Sequence, residues 1–251
     1  MSDVVQRSTL FLLLLALSVL SGCSGTEREQ DRSPMADLPN EVVAPVEDGL
    51  VLHYEGINGF AGAWWTIAVY ADGAVIATTD AGLRRGRISG DQLRSLSGTA
   101  AKAIRGVGDA RDCKATDLSN ETFRLRTSTE ELHATVYGLG CGSTAALKRL
   151  ARFRAELSSI RAQATESYTP PAVLVWVGKT GGSEPSPVPP AWPLPDHPPF
   201  LFPNDDPLRL PGEWVTVLPY RRGGSVGDVY EYQGKAYWFQ WRPVLPGIAE
   251  R

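Results

Sequence analysis

A proline-rich segment divides this chain and limits what each side of it can form. Residues 185–207, PSPVPPAWPLPDHPPFLFPNDDP, hold 10 of the 19 prolines in the 251 residues. Proline lacks a backbone N–H donor and fixes its φ angle, so this density excludes a regular helix or a central strand. We expect a polyproline-like linker or a loop wrapped over the surface. The chain is therefore divided into an upstream region, residues 49–168, and a downstream region, residues 169–251.

The upstream region has the periodicities of a small α+β domain. Asp72-Gly73 and Thr129-Glu130 are typical of hairpin turns between alternating apolar and polar residues. Ser89 and Gln92 form the pattern of a capping box at the start of a helix. Alternation predicts strands at residues 50–56, 64–71, 74–79, 122–128 and 131–137, and helical spacing predicts helices from Ser89 to about Ile104 and from Ser143 or Thr144 to about Ala164. We therefore predict an α+β fold in which a small antiparallel sheet packs with two helices.

The downstream region, a Pro-rich linker and a β-rich tail, is predicted to hold short strands at residues 172–177, 214–218, 229–232 and 235–242. The last of these, KAYWFQWR, carries apolar residues on both faces, which is typical of a strand that is covered on both sides. Trp192, Phe200 and Phe202 of the proline-rich segment could supply one cover. Two interpretations of Trp192, Trp238 and Trp241 remain open, since they could form the core or could stack on a bound sugar or peptide.

The N-terminal residues have the parts of a secretory signal. Arg7 precedes an apolar run of 11 residues, Leu10 to Leu20, which suits a signal peptide and is shorter than the about 20 residues that span a bilayer. The order Leu20-Ser21-Gly22-Cys23 resembles the lipobox of bacterial lipoproteins. That resemblance implies cleavage after residue 22 and acylation of the Cys23 thiol with palmitate-type chains. The alternative is an ordinary signal peptide with an incidental cysteine.

A lipoprotein of this kind would be anchored to a membrane without spanning it. Residues 1–22 would be the signal peptide, and the polar, acidic residues 23–48 would be a flexible tether between the lipid and the fold. The protein would lie outside the cytoplasm, on the outer membrane of a diderm bacterium or on the outer face of the plasma membrane of a monoderm.

Once Cys23 carries lipid, two cysteines remain, Cys113 and Cys141. An even number of cysteines in an exported chain indicates a disulfide. Both residues flank the predicted hairpin at its open end, so a bridge between them is geometrically reasonable. Two free thiols, or two metal ligands, are the alternatives, but no clustered histidine completes a zinc site, and no metal is predicted.

Two short motifs resemble catalytic or nucleotide-binding signatures without their context. Gly223-Gly224-Ser225-Val226-Gly227 matches the nucleophile elbow of hydrolases, but every histidine precedes Ser225, whereas that fold places its histidine later. Gly178-Lys179-Thr180 lacks the first glycine of a phosphate-binding loop, and no helix is predicted after it. The net charge of −3 gives no reason to expect a nucleic-acid partner. We predict a protein that is not an enzyme and needs no cofactor.

The upstream region resembles emfourin, a small bacterial inhibitor of thermolysin-like metallopeptidases. The resemblance is carried by the stretch EGINGFAG, residues 55–62, by Asp72-Gly73 after the next strand, and by the order helix, hairpin, helix over about residues 50–160. It implies an inhibitor-like module for an extracytoplasmic protease, with a protein partner. It transfers no inhibitory residue to this chain. The alternative function is a structural envelope lipoprotein that has neither enzymatic activity nor a small ligand.

Overall fold

The computed structural model describes residues 49–58, 64–114, 118–179, 189–194, 196, 198–199, 206–216, 218 and 228–248. The predicted signal peptide, Cys23 and the tether lie outside these residues, as do Ser225, Phe200 and Phe202. The described residues form twelve strands in two sheets, together with two α-helices. Neither of these helices has both the length and the apolar character needed to cross a bilayer.

The first sheet has eight strands and carries both helices. Its strands are β1 (Leu50–Asn58), β2 (Trp64–Tyr70), β3 (Ala74–Thr79), β4 (Gly82–Arg87), β5 (Gly108–Arg111), β6 (Ser119–Arg126), β7 (Glu131–Tyr137) and β8 (Ala164–Ser167). The helices are α1 (Gly90–Ile104) and α2 (Ala145–Arg161). The strand order is β5-β7-β6-β1-β2-β3-β4-β8, and all neighbours are antiparallel except β5 and β7. The two central strands, β1 and β2, pair along nearly their whole length.

The predicted α+β class is confirmed, but the sheet is larger than the small antiparallel sheet that we predicted. The sequence analysis missed β4, β5 and β8, whose sequences are GLRRGR, GDAR and ATES. Glycine, aspartate, glutamate and alanine are depleted in strands, and these three strands pair at or near the two edges of the sheet, where such residues are tolerated. Helix α2 ends at Arg161, before the predicted Ala164, because Ala164 pairs with β4 as the start of β8.

Local signals at the helix starts are present as predicted. The Ser89 side chain accepts a hydrogen bond from the Gln92 N–H, and the Gln92 side chain accepts one from the Ser89 N–H. At the start of α2, the Thr144 side chain accepts a hydrogen bond from the Leu147 N–H, without a reciprocal bond from the Leu147 side chain. Both helices then bury their apolar stripes on one face of the sheet, around Phe123. The ring centroids of Phe123 and Tyr54 lie 4.7 Å apart.

The second sheet has four strands in the order β10-β9-β12-β11. They are β9 (Ala172–Lys179), β10 (Leu208–Pro211), β11 (Asp228–Tyr232) and β12 (Lys235–Val244). One face packs Phe239 and Trp241 against Trp192 and Leu194 of the proline-rich segment. Trp192 and Leu194 therefore cover one face of β12, in agreement with the cover that the sequence predicted from Trp192.

The strand predicted at residues 214–218 is wrong. Residues Gly212–Thr216 form a 3-10 helix instead. Strand β10 ends at Pro211, which has no N–H to donate, and Gly212 lies so close to the Pro170 carbonyl that a Cβ there would be 1.5 Å from its oxygen. The chain leaves the sheet edge at this contact.

The end of the second sheet packs on the face of the first sheet that is opposite the helices. Leu245, just after β12, is buried with Ala68, Tyr70 and Ile76. The Tyr70 hydroxyl donates a hydrogen bond to the Pro246 carbonyl at 3.2 Å. The first sheet is therefore covered on one face by helices and on part of the other by residues that follow the second sheet.

His53 is buried on the same face, with 4% of its surface exposed. Its Nε2 lies 3.1 Å from Thr66 Oγ1. Burial lowers the pKa of His53 to about 4, the Glu55 carboxylate opposes this shift, and Arg124 and Arg242 add to it. The imidazole is therefore neutral at pH 7, where it acts as a structural group.

Candidate functional site

A cleft of about 580 Å³ lies between α2 and the central strands of the first sheet. Strands β1, β2, β3 and β6 supply one wall, and the C-terminal half of α2 supplies the other. The lining residues are Tyr54, Trp65, Thr66, Ile67, Thr78, Leu118, Ser119, Glu121, Arg154, Ala155, Leu157, Ser158 and Arg161. The cleft therefore combines an aromatic and aliphatic surface with several polar side chains.

A hydrogen-bonded network around Glu121 forms the floor of the cleft. The Glu121 side chain is fully buried. Its Oε2 accepts a hydrogen bond from the Tyr54 hydroxyl at 2.8 Å, and its Oε1 accepts bonds from Ser119 Oγ at 2.9 Å and Arg154 Nη1 at 2.6 Å. Arg154 Nη1 also donates to the Leu139 carbonyl at 2.9 Å. The carboxylate is thus paired and hydrogen-bonded, which a buried charge requires.

The aromatic wall depends on a glycine in the central strand. Gly56 of β1 lies between Trp65 of β2 and Glu121 of β6 in the register of the sheet. A Cβ at Gly56 would be 2.2 Å from the indole of Trp65, so only glycine allows the ring to lie over the strand. The indole Nε1 donates to the Tyr54 hydroxyl at 2.8 Å. Trp65 is therefore fixed to the same network as Glu121.

The cleft reaches into the sheet where β2 and β3 separate. The two strands pair from Ile67 to Val69 with Ala77 to Val75. Beyond this point the Thr66 N–H donates to the Thr78 side-chain hydroxyl at 2.9 Å instead of to a backbone carbonyl. Because the Thr78 hydroxyl takes the place of a backbone carbonyl as acceptor, the Thr66 N–H keeps a hydrogen bond where the two strands diverge.

The Tyr54 hydroxyl of the network is held in its neutral form. Burial, together with the neighbouring Glu121 carboxylate, raises the pKa of Tyr54 well above its usual range. Tyr54 is thus a neutral hydrogen-bond donor to Glu121 at any physiological pH. The neutral phenol and the carboxylate bonded to three donors form a fixed polar surface at the floor of the cleft.

The sequence predictions include neither Glu121 nor Arg154. Arg154 is half-buried because it reaches the Glu121 carboxylate. The signal was present in β6, where strict alternation puts Glu121 on the same face as the buried Phe123 and Leu125. A carboxylate at a core position requires a cationic partner.

The two cysteines lie beside the cleft wall and not in it. Cys113 and Cys141 form a disulfide with their Cα atoms 5.7 Å apart, in agreement with the pairing that the sequence predicts. The adjacent Asp112 carboxylate accepts hydrogen bonds from the backbone of Gly140, Gly142 and Ser143 and from the Ser143 hydroxyl. Burial opposes ionisation of Asp112, but these bonds hold its pKa below the usual range. The disulfide and Asp112 together fix the loop that leads into α2.

The three tryptophans singled out from the sequence do not form one site. Trp192 and Trp241 are buried in the core of the second sheet. Trp238 is half-buried on the opposite face of that sheet, where Gly178 makes room for its indole, since a Cβ there would meet Trp238 Nε1 at 2.0 Å. Of the three, Trp238 alone has the exposure that stacking on a ligand needs.

The arrangement as a whole is suited to holding a ligand. Among the described residues, no group of three or more histidine, cysteine, aspartate or glutamate side chains could hold a metal ion. His53 and His133 both lie on the face of the sheet away from the helices and the cleft floor. The cleft is instead built from a fixed ion pair, an indole and hydroxyl groups. The chain matches no protein-family model, and no curated protein matches it.

Proposed function

We propose that this chain is a lipid-anchored, extracytoplasmic binding protein without enzymatic activity, and that the cleft beside α2 receives part of a protein partner. The observation that carries the proposal is the cleft itself. Its volume of about 580 Å³ lies within the roughly 300–1,000 Å³ typical of ligand sites, and it mixes apolar walls with a few fixed polar groups, as such sites do. It is large enough for one or two side chains of a partner.

The state of the ionisable groups supports binding over catalysis. Glu121 is bonded to Tyr54, Ser119 and Arg154, so a substrate proton would have to displace an existing bond. A general base needs free access to the proton that it removes. A preorganised network of this kind instead lowers the entropic cost of binding.

The proposed location and partner follow from the sequence. The lipobox-like residues before Cys23 support a lipid anchor, and the disulfide between Cys113 and Cys141 supports an oxidising compartment. The resemblance to emfourin supports an extracytoplasmic, thermolysin-like metallopeptidase as the partner, with the chain acting as an inhibitor-like module. The alternative is a structural lipoprotein of the envelope, which would not use the cleft.

Blocking the cleft tests the proposal. Ser158 lines it, whereas the adjacent Ser159 is exposed and does not. We expect Ser158→Trp to abolish or strongly weaken binding to, and inhibition of, a purified thermolysin-like metallopeptidase, because the indole would occupy the space of the ligand. Ser159→Trp is the matched control and should behave like the wild-type chain.

Equal inhibition by both variants would show that the cleft is not the binding site. Failure of the wild-type chain to bind the peptidase, together with its isolation in a stable envelope complex that Ser158→Trp leaves intact, would favour the structural alternative. The anchor is tested separately by labelling cells with a palmitate analogue. The wild-type protein should be labelled, and equal labelling of Cys23→Ser would refute the anchor.

A further inference from the structure

Three polar side chains form a stripe along α2 that faces the cleft. Arg154, Ser158 and Arg161 are spaced four and three residues apart, which places them on one side of a helix. All three line the cleft. Ser158 and Arg161 are exposed, and Arg154 is half-buried. The stripe is therefore accessible to a ligand along two turns of the helix.

The hydrogen-bonding capacity left in the cleft consists mainly of donors. Both oxygens of the fully buried Glu121 already accept bonds. Arg154 uses Nη1 for its bonds to Glu121 and Leu139, which leaves Nη2 without a partner among the described residues. The Ser158 hydroxyl and the Arg161 guanidinium likewise have no hydrogen bond or ion pair to any residue that the structure describes. A ligand that satisfies these groups must supply acceptor atoms.

The charge of the cleft also favours an anion. Glu121 contributes one negative charge, and Arg154 and Arg161 contribute two positive charges. The C-terminus of α2 carries a partial negative charge of about half an elementary charge, which is smaller than the excess positive charge. The net potential at the stripe is therefore positive.

The opposite wall limits what the anion is attached to. Trp65 and Leu118 are half-buried, and Ile67 lies behind them. An apolar group placed against this wall would be removed from water, whereas a fully hydrophilic ligand would gain nothing from it. The anion should therefore be carried by an apolar body.

We propose that the cleft binds a carboxylate attached to an apolar or aromatic group, with the carboxylate on Arg161, Ser158 and the free edge of Arg154 and the apolar part against Trp65. Guanidinium groups match the planar geometry of a carboxylate. In a polypeptide the carboxylate could be the chain end or an acidic side chain. This inference rests on the proposed function, since it names the chemistry by which the cleft recognises its partner.

Calorimetric titration of the full chain with three short peptides tests the inference. The probes are N-acetyl-Leu-Phe with a free carboxylate, the same peptide as its amide, and N-acetyl-Phe-Glu amide, which carries only a side-chain carboxylate. We expect one or both carboxylate peptides to bind and the Leu-Phe amide to bind at least about tenfold more weakly, as loss of a charge-assisted hydrogen bond implies. The comparison between the two carboxylate peptides identifies the source of the group.

Variants of α2 locate the contact. Arg161→Gln should weaken binding of the carboxylate peptide at least about tenfold and reduce its dependence on salt. Arg152→Gln is the matched control, because Arg152 is exposed on the same helix but does not line the cleft. Arg154 is left intact, since its removal would strand the buried Glu121 charge.

Several results would overturn the inference. The first is that the Leu-Phe amide binds as tightly as the carboxylate peptides. The second is that Arg161→Gln and Arg152→Gln change the affinity for the carboxylate peptide equally. The third is that neither carboxylate peptide binds. Failure here is distinguishable from failure of the proposed function. If Ser158→Trp abolishes binding of the peptidase while Arg161→Gln leaves that binding unchanged, the cleft is the partner site but does not recognise a carboxylate.

Discussion

Acidification should destabilise the fold through His53, and the loss should begin near pH 6.5, above the pH at which most carboxylates are protonated. The imidazole is buried on the face of the first sheet that lies away from the helices, bonded to Thr66. Protonation there would place a positive charge next to Arg124 and Arg242, with Glu55 as the nearest compensating carboxylate. The native state therefore resists protonation of a group that the unfolded chain protonates readily.

The sign and the size of the effect follow from the two pKa values. The pKa of His53 is about 4 in the folded state and 6.5 without the fold. Between these values the unfolded chain binds more protons than the native chain, so stability is complete above about pH 6.5 and is lost as the pH falls towards 4. At about 1.4 kcal/mol for each pH unit between the two values, the loss is about 3 kcal/mol. That is a large part of the roughly 5–15 kcal/mol that a typical domain has.

Urea unfolding followed by tryptophan fluorescence, without reductant and at a series of pH values, measures this loss. His53→Gln can keep a hydrogen bond to Thr66 but cannot titrate, so its stability should be almost flat between pH 6.5 and 4. His133→Gln is the matched control, because His133 is exposed on β7, and it should follow the wild-type curve. If His53→Gln and the wild-type chain lose stability in parallel over this interval, the buried neutral imidazole is not the cause.

Three further predictions concern stability. Trp241→Ala should lower the free energy of unfolding, measured with denaturant, by about 3–5 kcal/mol, because Trp241 is buried in the core of the second sheet. Trp238→Ala should lower it clearly less, and equal losses would contradict the assigned burial. Reduction of the disulfide between Cys113 and Cys141, 28 residues apart, should lower the free energy of unfolding by about 3.5 kcal/mol on the chain-entropy model. An unchanged midpoint of denaturant unfolding would refute this prediction. Glu121→Gln should lower the free energy of unfolding by about 2–3 kcal/mol, since it removes the charge that pairs with the partly buried Arg154 guanidinium. An unchanged melting temperature would show that the network is not important for stability.

The parts of the fold that depend on local chemistry could be predicted from the sequence. The capping box at Ser89 and the turn at Asp72-Gly73 are short-range signals, and both are present where predicted. Strand β7 was predicted with its observed limits because its alternation is regular. The edge strands β5 and β8 owe their conformation to pairing with strands that are distant in the chain, which no local pattern reports. Strand β4 pairs with the adjacent β3, and its glycines gave no signal for a strand.

Local sequence patterns could not predict the candidate site either, because the site also depends on which strands pair. The cleft requires that β1 pair with β2 on one side and with β6 on the other, so that Gly56 stands between Trp65 and Glu121. Periodicity predicts which face a residue occupies but not which strand lies next to it. Glu121 could have been assigned to the buried face, but its partner on α2 is 33 residues away and is fixed by tertiary packing alone.

The contact between Tyr70 and Pro246 has a consequence for the order of folding. It joins residues 176 positions apart, whereas the contacts among β2, β3, β4 and α1 join near neighbours in the chain. Closing so long a loop is slow, and short-range contacts form first. The apolar face that holds Ala68, Tyr70 and Ile76 therefore stays open to water until the second sheet has formed and docked. During that interval the partly folded chain exposes a sheet surface of the kind that associates with other chains, so its yield on refolding should fall steeply as its concentration rises.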